Sequence, residues 1–557
     1  ELLDFSYGEK SEQLKPLNLR KNKDTEKLSW WERLQNIVKP QKPIDPTSNE
    51  TNLEQALKYL SNVIKRRSTA FVLSDFMAKD YEKALIGAYD MLQTTYLNIL
   101  TIVGASDDII LGGDPFTYDQ PTLQRVDKMD ITPADNNQLR DIWRFMYAAM
   151  GRANYILEFQ NKTDFEGKDE ILAQAYFLRA YFAFELVKFF GDIPLSVEER
   201  NGVSRIQDKR IRIGEQYDVN RVGSIAQAYT LIEEDLKEAI ALGLPTFTTD
   251  ASLKYKITET AAQSLLGKVY LYHGTFDASK FSDALTQLNS VINSGFYSLP
   301  STNVFLKSGE NGPGSVFEVQ YTSVEGAGWG CIQCSEGNYL PQNNAPRDYT
   351  GPVYKSGWGF SLPTQQLYDA YAVGDQRRDI TILKPSATSY SPSRENTGYF
   401  TRKYLPTQEN ESNRNGSDPL NYDNNYRSIR YSDVLLMAAE AAAQSGGANA
   451  ISYLNQVRNR AFGNNSHDYP YNGESDLLTA IADERRLEFA GEGHRFFDLV
   501  RTGKAKAAFD NYNATRPDQT AETAVNFDEN KNEIFPIPLV ELELANALST
   551  WGQNPGY

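Results

Sequence analysis

A chain of 557 residues with 40% hydrophobic and 23% charged residues has the composition of a globular protein that can bury a large core, with a length suited to about two to four domains. Its formal net charge of −16 speaks against a nucleic-acid partner, because that kind of binding rests on a basic surface that neutralises phosphates. No stretch of about 18 apolar residues occurs, so no transmembrane helix is expected.

The first segment, 1–50, reads as a tether or arm. It opens without a methionine, a basic leader or an apolar leader core, so an export signal is expected to have been removed ahead of it. Residues 10–42 carry nine Lys/Arg against four Asp/Glu, with Trp30 and Trp31 adjacent and prolines at 40, 43 and 46. The run WWERLQNIV predicts one short amphipathic helix. Basic and aromatic residues suit a membrane surface, but a segment laid along the globule or a partner is the favoured reading.

Residues 51–300 and 426–557 read as helical scaffold. In ILAQAYFLRAYFAFELVKFF, Ala175, Leu178, Phe182, Leu186 and Phe189 recur at steps of three and four, which places them on one helix face. Gly191 stops this helix and Pro194 prevents its resumption. Ile142, Phe145, Ala149, Ala153 and Ile156 supply an antiparallel partner upstream. Similar pairs fall at about 222–242 with 258–273, and at about 427–444 with 448–462, where Gly446 and Gly447 supply the turn; FSDALTQLNSVINSG adds another helix. Small residues at Ala438, Ala439, Ala441, Ala442 and Ala443 allow close helix approach. The fold class predicted is mainly α: irregular tetratricopeptide-like (TPR-like) hairpins with a loop-rich lobe packed on them.

That lobe is expected at 301–425, where glycine, proline, serine and asparagine cluster and only PTQQLYDAY shows helical periodicity. A break of this length points to function, because a rigid scaffold carrying variable loops is a common way to place a recognition site. The chain has 33 Tyr, 27 Phe and 6 Trp, and position must separate binding rings from packing ones. Trp329 stands out: its small flanks, AGWG, cannot bury an indole locally. Stacking it on about 50 Å² of a sugar's apolar face at about 25 cal/mol per Å² gives about 1.2 kcal/mol. Millimolar affinity needs about 4 kcal/mol, so several platforms are required. Tyr321, Tyr339, Tyr349 and Trp358 are the further candidates, with Arg347 and Asp348 as polar partners. Trp358, in GWGF before Pro363, is as well suited to packing as to binding.

A second candidate group lies in SDDIILGGDPFTYDQPT: Asp107, Asp108, Asp114, Phe116 and Tyr118. Its carboxylates can accept hydrogen bonds from sugars or peptides. Calcium is an alternative for such oxygen-rich loops, but the spacing lacks the EF-hand pattern. Cys331 and Cys334, in GWGCIQCSEG, are the only cysteines of the chain, and a local disulfide that stiffens the backbone presenting Trp329 is the first expectation.

The densest charge cluster is DERRLEFAGEGHRFFDLVR, residues 483–501. Glu484, Arg485, Arg486, Glu488, Glu492, His494, Arg495 and Asp498 could furnish acid and base groups. The four-residue spacing of Glu484 and Glu488 beside Arg485 also serves ordinary ion pairing on a helix, and the structural role is favoured. His494 lacks an HExxH partner; the other histidines are His273 and His467. No GxSxG elbow, P-loop or GxGxxG in strand-helix context is present. A binder without cofactor or metal is therefore expected rather than an enzyme.

Six segments occur in one order: IWRFMYAAMGRANYIL, AQAYFLRAYFAFELVKFFGDIPL, IRYSDVLLMAAEAAAQSG, YLNQVRNRAF, DERRLEFAGEGHRFFDLVRTG and NEIFPIPLVELELANALSTWGQNPGY. Together they resemble the SusD/RagB family of outer-membrane nutrient-capture lipoproteins over about residues 75–557. The resemblance implies a scaffold of four TPR-like units and a surface role: collecting a ligand and helping to enclose it over a SusC-like TonB-dependent transporter. The opening ELLDF resembles the stretch that follows the lipidated cysteine in such proteins, which implies a lipid anchor ahead of Glu1 and a place on the cell surface. An oligosaccharide is the ligand expected. The starch-binding member of the family is similar in presenting an aromatic arc from loops. A peptide-capturing member of the same family is the first alternative, and a carbohydrate-active enzyme the second.

Overall fold

The computed structural model describes residues 78–557 apart from 118, 212–218, 249–252, 302, 325, 327, 330–335, 408–416, 516–523 and 547–550. The arm at 1–50 with its WWERLQNIV helix, Tyr118, and Cys331 and Cys334 with their expected disulfide lie outside the described residues.

In chain order the first helices are α1 (Ala78–Asp90) and α2 (Thr95–Gly104), followed by strand β1 (Ile109–Leu111), α3 (Pro121–Asp127) and the long pair α4 (Asn137–Glu158) and α5 (Lys168–Phe190). A hairpin of β2 (Val197–Arg200) and β3 (Val203–Ile206) leads to α6 (Ile225–Leu242), α7 (Glu259–His273) and α8 (Lys280–Asn293). Side-chain caps start several of these helices. Asn136 accepts from the Leu139 amide, Ser224 from Gln227 and Thr258 from Ala261, each satisfying an amide that has no partner within the helix. At the other end, α5 stops at Gly191, as the sequence predicts, and that residue takes a positive φ of +71°.

Packing follows chain order: α4 on α5, α5 on α6, α6 on α7 and α7 on α8. The next helix of the row is α12 (Tyr431–Ser445), which packs on α8 although more than 130 residues separate them in sequence. Then α13 (Ala450–Phe462) packs on α12, and α14 (Leu477–Phe489) touches both. Ala438, Ala439, Ala441 and Ala442 are fully buried, which lets α12 fit between α8, α13 and α14. The chain closes with α15 (Arg495–Arg501), α16 (Ala505–Thr515) and α17 (Leu539–Asn546).

The sequence suggests one apolar face for α5, but nearly every side of it is buried. Flanking by α4 and α6 takes up two sides, and the polar residues are accommodated by pairing rather than exposure. Arg179, fully buried, donates from Nε and Nη2 to both carboxylate oxygens of Asp235 on α6 at 2.7 Å, and from Nη1 to Asn154 on α4 at 2.8 Å. A lone buried guanidinium would be strongly unfavourable; this fork stitches three helices together.

Between α8 and α12 the chain forms short pieces: β4 (Ser315–Val319), α9 (Leu340–Asn344), β5 (Ser361–Pro363), α10 (Gln365–Ala370), α11 (Arg377–Thr381), β6 (Ile382–Leu383), β7 (Phe400–Thr401) and β8 (Tyr426–Arg430). Among the described residues all sheets are two-stranded and antiparallel: β1 with β5, β2 with β3, β4 with β8 and β6 with β7. One apolar core runs through the helical row and β4 and β8. The looped region adds small clusters of its own, such as Ile110, Leu362 and Phe400, or Ala345, Tyr354 and Leu405. Backbone pairing and ion pairs therefore do much of the work of holding its loops.

Candidate functional site

A ladder of aromatic rings leads from the core to solvent. Tyr96, buried on α2, meets Tyr339 edge to face at 5.2 Å between centroids. Tyr339 meets Trp358 edge to face at 5.5 Å, and Trp358 meets Trp329 at 5.8 Å with the planes tilted by 33°. Trp329, at the outer end, is 54% exposed. The two edge-to-face contacts are favoured by the ring quadrupoles and orient Tyr339 and Trp358. Tyr339 packs against the apolar core, where burial pushes its hydroxyl above its ordinary pKa, and it buttresses Trp358; Trp329 is the ring open to solvent. Trp358 holds both roles: half-buried, it packs on Tyr339 and supports Trp329.

The platform is fastened to the second sequence group by backbone pairing. The β1–β5 register matches Ile109 with Pro363 and Leu111 with Ser361. It continues with the Gly112 amide to the Phe360 carbonyl at 2.9 Å and the Gly113 amide to the Gly359 carbonyl at 3.0 Å. Past this pair the two segments take other partners: the Gly113 carbonyl accepts from the Arg394 amide and the Trp358 amide donates to the Gln342 carbonyl. The chains part there because Gly113 and Gly359 both have positive φ, +90° and +62°. A Cβ at Gly113 would lie 2.5 Å from the Phe360 ring, and one at Gly359 would collide with the Ser393 hydroxyl.

Beyond that fork, Asp114 Oδ1 accepts from the amides of Phe116 at 2.8 Å and Thr117 at 2.9 Å, and Oδ2 accepts from Arg347 Nη2 at 2.8 Å. Donation from these two amides, helped by the Arg347 charge, holds the Asp114 carboxyl below its ordinary pKa. The ring of Phe116 is 93% exposed. Tyr349 is half-buried beside Ala345, Tyr354 and Leu405, and partial burial raises its hydroxyl pKa. Asp348 is exposed in a left-handed backbone conformation.

Three candidates are placed elsewhere. Tyr321 is buried, its hydroxyl donating to the Gln93 carbonyl at 3.0 Å, so it is a packing residue and not a presented ring. Asp107 and Asp108 are buried ion-pair partners: Arg495 forks onto Asp107 at 2.8 Å through two nitrogens, and Arg486 Nε reaches Asp108 at 2.9 Å. Burial pushes the Asp107 carboxyl up, but its hydrogen bonds to Arg495 and the charge of that residue hold it below the ordinary value. Spent on these arginines, both carboxylates are withdrawn from any ligand. The signal was present in sequence, as unassigned arginines in DERRLEFAGEGHR. Tyr96 gave no such signal, since on α2 it reads as an ordinary core residue.

The charged segment 483–501 is an interior lattice. Glu488 accepts from Arg430 at 2.7 Å, Arg460 at 2.6 Å and Arg377 at 3.3 Å; Glu492 accepts from Lys403 at 2.7 Å and Arg430 at 2.8 Å; Glu484 accepts from Arg377 and Arg458. Burial alone would push Glu488 up, but three guanidiniums hold it well below the carboxylate range. His494 precedes α15 without a side-chain capping bond and stacks on Phe489 at 4.7 Å; burial and the nearby Lys268 charge keep its imidazole neutral. Among the described residues no group of three or more His, Cys, Asp or Glu is arranged to hold a metal.

Residues 376–557 match the SusD family, and residues 114–271 match a family described as starch-binding and associating with the outer membrane; residues 30–100 match a family of unknown function. SusD-like protein P2 of Formosa agariphila is 27% identical over 443 residues, which cover 76% of this chain and 81% of the relative. A laminarin-binding SusD-like protein of known structure is 32% identical, with a TM-score of 0.72 over 86% of this chain and 99% of that one. Surface glycan-binding protein A from Bacteroides thetaiotaomicron, solved in complex with laminarihexaose, is 26% identical with the same TM-score and the same coverage. Matched along nearly the whole length of a 32% identical relative, the chain belongs to the SusD-like family, and its helical hairpins are the TPR-like scaffold of that family.

Proposed function

We propose that this protein is a cell-surface glycan-binding lipoprotein that captures a laminarin-type oligosaccharide and delivers it to a SusC-like TonB-dependent transporter. The observation that carries the reading is the exposed Trp329 indole, held at the end of the Tyr96–Tyr339–Trp358 ladder. A flat apolar ring backed by Trp358 and open to solvent suits the apolar face of a sugar. The similarity to a laminarin-binding protein and to a laminarihexaose complex supports the choice of glycan. Binding without covalent chemistry fits the carboxylates as well: Asp107 and Asp108 are committed to arginines, and Asp114 to Arg347 and the loop backbone.

Isothermal titration of the protein with laminarihexaose, maltohexaose and a panel of short peptides tests the reading. Saturable binding of laminarihexaose is expected, with Trp329→Ala raising Kd about five- to tenfold and leaving the melting temperature unchanged. Binding confined to peptides would move the protein to peptide capture, and release of shorter sugars during the titration would make it an enzyme. Delivery is tested separately, by co-purification with a SusC-like transporter from outer membranes.

A further inference from the structure

We infer that Asp114 is a positioning residue that holds Phe116 as a second aromatic contact for the glycan, beside the Trp329–Trp358 platform; this rests on the glycan-binding reading. At 93% exposure the Phe116 ring contributes almost nothing to the core, yet the turn beneath it is held at three points by one carboxylate. Asp114 Oδ1 fixes the amides of Phe116 and Thr117. Through Oδ2 it is tied to Arg347, whose own backbone bridges to Gly357, the residue before Trp358.

One short path therefore connects the loop tip to the platform: Phe116 to Asp114, Asp114 to Arg347, Arg347 to the Trp358 segment. The continued β1–β5 register delivers the same neighbourhood independently, since Gly113 pairs with Gly359. Ordering the Phe116 turn before the ligand arrives removes that cost from binding, which is what a stacking residue requires. The side chain of Asp114 itself has little left to offer a sugar: one oxygen is filled by two amides and the other by a guanidinium.

Titration of laminarihexaose into the parent, Phe116→Ala, Asp114→Ala, the double variant and Trp329→Ala decides the matter. Phe116→Ala is expected to raise Kd about five- to tenfold. Asp114→Ala should match it, and the double variant should be no weaker than either single one within about twofold, because Asp114 acts through Phe116. Arg347→Gln, which frees the other end of the tie, should reproduce the loss. An unchanged Kd in Asp114→Ala or Phe116→Ala, or losses that multiply in the double variant, would overturn the inference while a Trp329→Ala defect leaves the glycan site standing. A parent protein that binds no glycan overturns both.

Discussion

Single residues in this protein take their properties from partners far away in the chain. Glu310 is an example with a measurable consequence. Burial raises its carboxyl pKa to about 7, against the amide of Asn425, which donates to Oε1 at 2.9 Å, and against the charge of Arg427; Glu318 nearby adds to the rise. A carboxyl whose folded pKa lies above its unfolded value of 4.5 binds more protons in the native state, so its contribution is fully present below about pH 4.5 and is lost as pH rises through about 7. Glu310→Gln keeps the oxygen that accepts from Asn425 and removes the titration. Urea denaturation should therefore find parent and variant alike at pH 5 and the variant more stable by about 1–2 kcal/mol at pH 8, after allowance for solvent screening. Parallel stability-pH curves would refute this. The same dependence on distant partners explains why Tyr321, Asp107 and Asp108 were legible as residue types but not as packing residues: Gln93, Arg495 and Arg486, which consume them, lie about 230, 390 and 380 residues away.

At the scale of elements, the fork where β1 and β5 separate sets the backbone that carries Trp358, part of the face proposed to bind glycan. Gly359→Ala would put a methyl into the Ser393 hydroxyl at a backbone φ of +62°. It should cost about 1–3 kcal/mol in urea denaturation and weaken laminarihexaose binding by displacing Trp358. Gly151, inside α4, is the contrast: nothing lies within 4 Å of an added Cβ. There the substitution by alanine should stabilise the protein by up to about 1 kcal/mol and leave affinity alone. The helices themselves were readable because their signals are local. Three- and four-residue spacing and Gly191 at a stop act within a few residues; the caps Asn136, Ser224 and Thr258, which were not singled out from sequence, are equally local. The three-residue strands carry no comparable signal, since Ile109–Leu111 finds its partner only at Ser361–Pro363.

Across the whole molecule, the arginine-glutamate lattice joins the end of the looped region to the C-terminal helices. Arg430, the last residue of β8, binds Glu488 on α14 and Glu492 just beyond it, while Arg377 on α11 and Arg460 on α13 converge on the same Glu488. Arg430→Met would leave two buried carboxylates short of a partner and should lower stability by about 3–5 kcal/mol in urea denaturation. A cost under about 1 kcal/mol would show that the remaining cations compensate. Sequence by itself determined the helical scaffold, the family and the scaffold character of residues 483–501, because helix periodicity, stop signals and motif order are written in consecutive residues. Tertiary structure alone decided which charged and aromatic side chains are exposed. It buried Tyr321, Asp107 and Asp108, left Trp329 and Phe116 in solvent, and joined the Phe116 loop to the Trp358 segment through Asp114 and Arg347. Exposure and pairing depend on what the rest of the chain places opposite a residue, and no local pattern encodes a partner more than 200 positions away.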